Sequence, residues 1–134
     1  MMWAVASMAP RFDFPLPARG LLAAGCFAGG VALAAAGVIS FRREKTTWNP
    51  LKPQTATALV TTGIYAWTRN PMYLGVLFML LGWACFLTNA LAVLVLPGFV
   101  VFLNRFQIEP EERALAGRFP QEFAAYRVRV RRWL

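Results

Sequence analysis

An all-α integral membrane protein is the fold class this sequence predicts, on three observations. Hydrophobic residues make up 58% of the chain and charged residues only 15%, where a soluble domain carries roughly a quarter charged residues. Residues 20–41, GLLAAGCFAGGVALAAAGVISF, hold no charge; at about 1.5 Å per residue they reach roughly 33 Å, enough for a bilayer core. Residues 70–104 form a second uncharged run, too long for one span and suited to a helical hairpin.

Each element follows from its own residues. The opening MMWAVASMA is apolar but half a span in length, and PRFDFPLPARG sets Pro10, Pro15 and Pro17 close together. Residues 1–19 therefore read as a short N-terminal helix and a connection, either half-inserted or the end of a longer span. Residues 20–41 exceed the roughly 7–15 apolar residues of a signal-peptide core and run into the basic FRREK, so they read as a retained span. Gly25, Gly29, Gly30 and Gly37 allow a neighbouring helix to come close. Residues 42–69, with two prolines and many threonines, form a loop. Residues 72–87 and 90–103 are the hairpin arms, joined at Thr88-Asn89. Each arm is short for a full span, which fits a tight hairpin or a thin membrane region, and Pro97-Gly98 predicts a kink in the second arm. From residue 105 the chain turns polar. Leu115, Phe119, Phe123, Tyr126, Val130 and Trp133 recur at helical spacing, and Pro120 divides them, giving an amphipathic helix pair. The arginines of 127–132 beside Trp133 suit an anionic leaflet.

Basic residues set the orientation. Arg42, Arg43, Lys45, Lys52 and Arg69 lie between span and hairpin, and Arg105, Arg113, Arg118, Arg127, Arg129, Arg131 and Arg132 follow it; Arg11 and Arg19 alone precede the span. A hairpin that crosses twice puts both rich regions on one side, which the positive-inside rule makes cytoplasmic. The net charge of +8 fits an anionic membrane face better than nucleic acid, because the basic residues flank spans and form no separate domain. The chain has no histidine. That excludes Ser-His-Asp and Cys-His catalysis, and Cys26 and Cys85, isolated in apolar runs, make neither a zinc site nor a disulfide framework.

Polar chemistry concentrates at two places. In TRNPMYLG, residues 68–75, Asn70 is a good helix N-cap, Pro71 suits the first helical position, Arg69 is a membrane flank and Tyr73 an interfacial aromatic. The same geometry, with free N–H groups at a helix start, is a ready anion site. In NRFQIEPEERAL, residues 104–115, Glu109, Glu111 and Glu112 crowd around Pro110 at an expected helix start, with Arg105 before them. The hairpin returns this cluster to the face that holds Tyr73. A shared pocket there combines an anion-binding helix end, carboxylates and an arginine, which fits a zwitterionic ligand.

The stretch TATALVTTGIYAWTRNPMYLG, then an apolar hairpin, then NRFQIEPEERALAGRFPQEFAAYRVRV, resembles the isoprenylcysteine carboxyl methyltransferases and the wider group of membrane methyltransferases that includes phospholipid N-methyltransferases. The resemblance covers residues 54–132. It implies a multi-helical membrane enzyme holding S-adenosylmethionine near the cytosolic face. Leu59 and Val60 are implied to meet that cofactor through backbone, Tyr65 to enclose it, and Asn70, Pro71, Met72 and Tyr73 to cap its methionine part. Glu109, Glu111 and Glu112 are implied to face its ammonium or shape the pocket, and Arg105 to act in catalysis by pairing with the acceptor's carboxylate. The family's usual Arg-His-Pro is Arg-Asn-Pro here, Pro120 stands for a glycine and Phe123 for a tyrosine. A missing histidine is tolerable: a carboxylate acceptor with a pKa near 4 is ionised at neutral pH and needs no general base, so positioning carries the rate.

The expected function is methyl transfer to a lipidic or hydrophobic acceptor, most simply a carboxylate. The competing readings are a nicotinamide-dependent membrane reductase and a non-catalytic membrane scaffold.

Overall fold

The computed structural model describes residues 1–9, 15–44 and 57–134. The connection expected around Pro10 and most of the threonine-rich loop (45–56) lie outside these residues. Among the described residues six α-helices follow one another: α1 Met2–Met8, α2 Arg19–Arg43, α3 Pro71–Leu87, α4 Ala90–Leu103, α5 Glu109–Arg118 and α6 Pro120–Arg129. A 3₁₀ turn, Gly63–Ala66, precedes α3. Leu21, Phe27, Val31 and Ile39 on α2, and Leu94, Val101 and Phe102 on α4, are exposed. Outward apolar surface of this kind belongs in lipid.

Helices α2 and α3 run antiparallel and touch backbone to backbone. A methyl group at Gly30 would lie 2.5 Å from the Gly75 carbonyl oxygen, and one at Gly75 would lie 2.5 Å from the Gly30 oxygen. Below this crossing Gly82 meets Ala23 and Cys26; above it Gly37 receives Met72. Of the glycines that the sequence offers as contact points, Gly30 and Gly37 are used, whereas Gly25 and Gly29 face open space.

The hairpin turns where expected. Thr88 takes a left-handed conformation (φ 50°), and fully buried Asn89 caps α4 by accepting from the Leu91 and Ala92 N–H groups. Its amide also donates to the Ala9 carbonyl at 2.9 Å. That bond ties α1 to the turn, where Met2 packs with Ala84, Ala92 and Leu96.

The second arm differs from expectation. Pro97 lies inside α4, and the arm does not stop near residue 104. It continues through a π turn, Asn104–Ile108, into α5, so Ala90–Arg118 is one helical rod. The anticipated fresh helix start at Glu109 is replaced by this turn. Pro110 has no N–H to donate one turn back and its ring crowds that carbonyl. The wider turn accommodates it, with the Glu109 N–H reaching the Asn104 carbonyl five residues earlier. Pro120 does break the rod: α5 ends at Arg118 and α6 begins at Pro120. Phe123, Tyr126 and Val130 of the second segment are buried with Leu59, Leu115 and Phe119 around them.

Replacing Gly75 by alanine should push α2 and α3 apart at a place with no slack. We expect a loss of about 1–3 kcal/mol, the usual cost of overpacking, read as a lower unfolding midpoint in detergent. Gly25→Ala, which meets nothing within 4 Å, should leave that midpoint unchanged.

Candidate functional site

At the end of the molecule opposite α1, four segments converge: the approach to α3, the first turns of α5, the end of α6, and the extended tail after it. Glu112 is their common point. Its Oε1 accepts from Arg69 at 2.8 Å and its Oε2 from Arg132 at 2.7 Å, and the Arg69 side chain is only 9% exposed. Burial raises the Glu112 carboxyl, but the Arg132 hydrogen bond and the nearby Arg69 charge outweigh it and hold the group below the usual carboxylate range. Arg69 also donates to the carbonyls of Arg127 and Val130, capping the end of α6 as basic side chains do.

The tail is stitched to the same corner by its backbone. The Arg69 N–H donates to the Arg131 carbonyl at 3.0 Å, while Thr68 Oγ1 and Asn70 Nδ2 both donate to the Arg132 carbonyl. Asn70 therefore does not cap α3 with its side chain, as its sequence context predicts. The Arg132 carbonyl takes the amide, and Asn70 N–H turns to Thr68 Oγ1. Trp133 closes the tail by donating to Asn104 Oδ1 at 3.2 Å.

The adjacent glutamate has a different environment. Glu111 Oε1 accepts from Tyr73 Oη at 2.7 Å and from Gln107 Nε2 at 2.7 Å. Both donors are neutral, and among the described residues no Arg or Lys pairs with this carboxylate. Burial raises its pKa above the ordinary value, the two hydrogen bonds pull it back, and Glu112 adds to the rise. Tyr65 borders this group. Burial, then Tyr126, Glu111 and Tyr73, push its phenol above the ordinary range. Its ring stands edge-on to Phe41 at 5.3 Å, and its carbonyl accepts from Tyr126 Oη at 2.7 Å.

The structure thus gathers Tyr65, Tyr73 and Glu111 at one place, with Asn70 and Pro71 buried at the start of the same helix. Val60 is buried and Leu59 packs on the Phe123–Tyr126 cluster. The Met72 side chain faces Gly37 of α2. Glu112 is engaged by arginines on both oxygens. Arg105 and Glu109 lie on another stripe of the rod and pair with each other at 3.4 Å, Arg105 being 70% exposed. Arg69, Arg132 and Gln107 join the site without having been singled out for it. The spacing of Gln107 and Glu111, one helical turn apart, is a legible pair signal.

A half-buried carboxylate held, among the described residues, by neutral donors favours a cationic ligand group. The first N–H groups of α3 nearby favour an anionic one. Together they fit the ammonium and carboxylate of an amino-acid-like molecule, with tyrosines beside it for an apolar or aromatic part.

The profile of the phospholipid methyltransferase family matches residues 18–122 of the chain. An uncharacterized protein of Haemophilus influenzae is 44% identical over 63 residues, 47% of this chain and 100% of that protein. The protein-S-isoprenylcysteine O-methyltransferase of Saccharomyces cerevisiae is 33% identical over 82 residues, 59% of this chain and 33% of the enzyme. Its counterpart in Mus musculus is 36% identical over 72 residues, 54% of this chain and 25% of the enzyme. The chain therefore matches a third or less of the length of these two enzymes. No solved structure matches.

Removing the Glu112 charge should leave two arginines facing each other without an anion. Glu112→Gln is expected to cost about 3–5 kcal/mol, whereas Glu109→Gln, in an exposed pair, should cost under about 1 kcal/mol. Unfolding in detergent at neutral pH measures both. The Glu112 carboxyl titrates lower when folded than when unfolded, so its stabilisation is complete once pH exceeds the unfolded value, about 4.3. It fades as pH falls through the folded value, and this acid-side loss should be absent in Glu112→Gln.

Proposed function

The chain belongs to the phospholipid methyltransferase family, and from that premise we propose that it transfers a methyl group from S-adenosylmethionine to a lipidic or hydrophobic acceptor at the cytosolic face of the membrane. The observation that carries this reading is Glu111, a half-buried carboxylate with two neutral donors and, among the described residues, no cation paired with it. The donor set fits the methyl donor. Glu111, held by Tyr73 and Gln107, takes its ammonium; the start of α3, set by Asn70 and Pro71, takes its carboxylate through the backbone N–H groups of Met72 and Tyr73, since that of Asn70 is used on Thr68; Tyr65, with the backbone of Leu59 and Val60, encloses the remainder. Met72 serves through backbone, since its side chain is used against Gly37. S-adenosylmethionine, when bound, supplies an electrophilic methyl group on a sulfonium.

The chain's own residues account for the rest. Glu112 acts as a positioning residue: with both oxygens on arginines, it fixes the rotation of α5 and so aims Glu111 at Tyr73. Arg105, exposed and loosely held by Glu109, is the acceptor-side cation, and its guanidinium presents two parallel donors to a carboxylate. That favours a carboxylate acceptor, already ionised at neutral pH, which asks no base of a chain without histidine. Both named relatives are protein-S-isoprenylcysteine O-methyltransferases, which agrees with methylation at oxygen. Exclusion of water by the surrounding apolar residues and alignment of the reactants supply the acceleration.

The test is a labelled methyl-donor assay on membranes with and without the protein, followed by identification of the labelled lipid. Purified protein should bind S-adenosylhomocysteine saturably and not NADPH; the reverse would support a reductase, and neither a scaffold. Glu111→Gln and Tyr73→Phe should weaken S-adenosylhomocysteine binding by about tenfold or more, the scale of one charge-assisted hydrogen bond. Arg105→Lys should leave that binding within about twofold and lower turnover, since a lysine cannot reproduce the planar fork.

A further inference from the structure

The end of α6 and the tail after it have two sides with different chemistry. Inward go the Val130 side chain, buried with Phe123 and Tyr126, and the Arg132 guanidinium and the carbonyls of residues 127, 130, 131 and 132, which are engaged with the corner at residues 68–70 or with Glu112. Outward go Arg127, Arg129 and Arg131, all exposed. Among them stands Val128, 91% exposed, and Trp67, one residue before Thr68, is 77% exposed. An aliphatic and an aromatic side chain set out among three arginines is a poor water-facing surface. It is a good one for the headgroup region of a membrane, where tryptophan settles and arginine finds phosphate.

Depth decides what meets this surface. The tail's carbonyls are bonded to Thr68, Arg69 and Asn70, and Asn70 immediately precedes the apolar helix α3. The arginines are therefore held level with the membrane end of α3, and the inward bonds keep them from retreating. We propose that Trp67, Arg127, Val128, Arg129 and Arg131 form a docking surface for anionic phospholipid headgroups of the leaflet in which α3 begins. Arg132, expected from sequence to belong to this group, is excluded from it by its bond to Glu112. The proposal does not depend on the reaction assigned to the Glu111 site.

The test places a polarity-sensitive fluorophore at Val128→Cys, with Cys26→Ala and Cys85→Ala, in nanodiscs of phosphatidylcholine alone or with phosphatidylglycerol. The proposal expects a blue shift in the anionic discs only. High salt should reverse it, since surface attraction fades within a Debye length of about 10 Å at 0.1 M. The combined Arg127→Gln, Arg129→Gln, Arg131→Gln variant should abolish it, each arginine giving about a fivefold gain in anionic-lipid affinity. Reversal by salt in the arginine-containing protein reads the same charge effect without relying on that variant to fold. A water-like emission in both disc types would overturn the proposal and leave the arginines for a soluble acidic partner. So would an equal blue shift in both types, or one that survives salt, because charge would then play no part.

Discussion

Glu112 between Arg69 and Arg132 is the contact on which the polar end of this molecule depends. A carboxylate and two guanidiniums are costly to bury, and among the described residues no buried side-chain nitrogen or oxygen lacks a hydrogen-bond partner. Arg69 directs its remaining N–H groups to the last carbonyls of α6, which otherwise have no intrahelical partner. One ion cluster therefore fixes the start of α3, the rotation of α5, the end of α6 and the path of the tail. The apolar half of the molecule is held differently, by glycines that let α2 and α3 meet at backbone distance. The two halves share α3, whose first residue adjoins the cluster and whose fifth, Gly75, lies at the crossing.

Neighbouring glutamates on one helix point about 100° apart, and the structure uses that angle to separate two tasks. Glu112 is saturated by charge and structural. Glu111 is satisfied by Tyr73 and Gln107 and, among the described residues, is not neutralised by a cation. The π turn just before them contributes by relieving Pro110 without ending the rod, so both carboxylates stay on a helix continuous with the membrane arm. π turns recur at functional sites. Here the extra residue in the turn shifts the register of the Glu111-Glu112 pair relative to α4.

Much of this was legible in the residues. Uncharged runs gave the long helix α2 and the helical hairpin, Thr88-Asn89 gave the turn, and aromatic periodicity with Pro120 gave the C-terminal pair. Tyr73 beside the glutamates followed from a hairpin that returns. Long-range polar pairing was not legible. Arg69 reads as a membrane flank and Arg132 as part of a leaflet-facing cluster, because nothing local shows that residues 43 and 20 positions away share one carboxylate. Asn70 has the composition of a cap, yet the Arg132 carbonyl, distant in sequence, claims its amide. Pro110 reads as a helix start because a proline in a rod is tolerated only through backbone adjustment, and sequence pattern does not display that adjustment. Arg105 sits one residue from the inward stripe through Asn104 and Ile108, a rotation that a motif in one dimension does not convey.

With Arg69 and Arg132 both held on Glu112, Glu111 has no cation among the described residues, and we propose that it receives the cationic group of the methyl donor. An experimental structure of the protein with S-adenosylhomocysteine tests this most directly. The ligand's ammonium is expected within about 3 Å of a Glu111 oxygen, with Arg69 and Arg132 still on Glu112. A ligand bound away from Tyr73 and Glu111, or an arginine already neutralising Glu111, would contradict it.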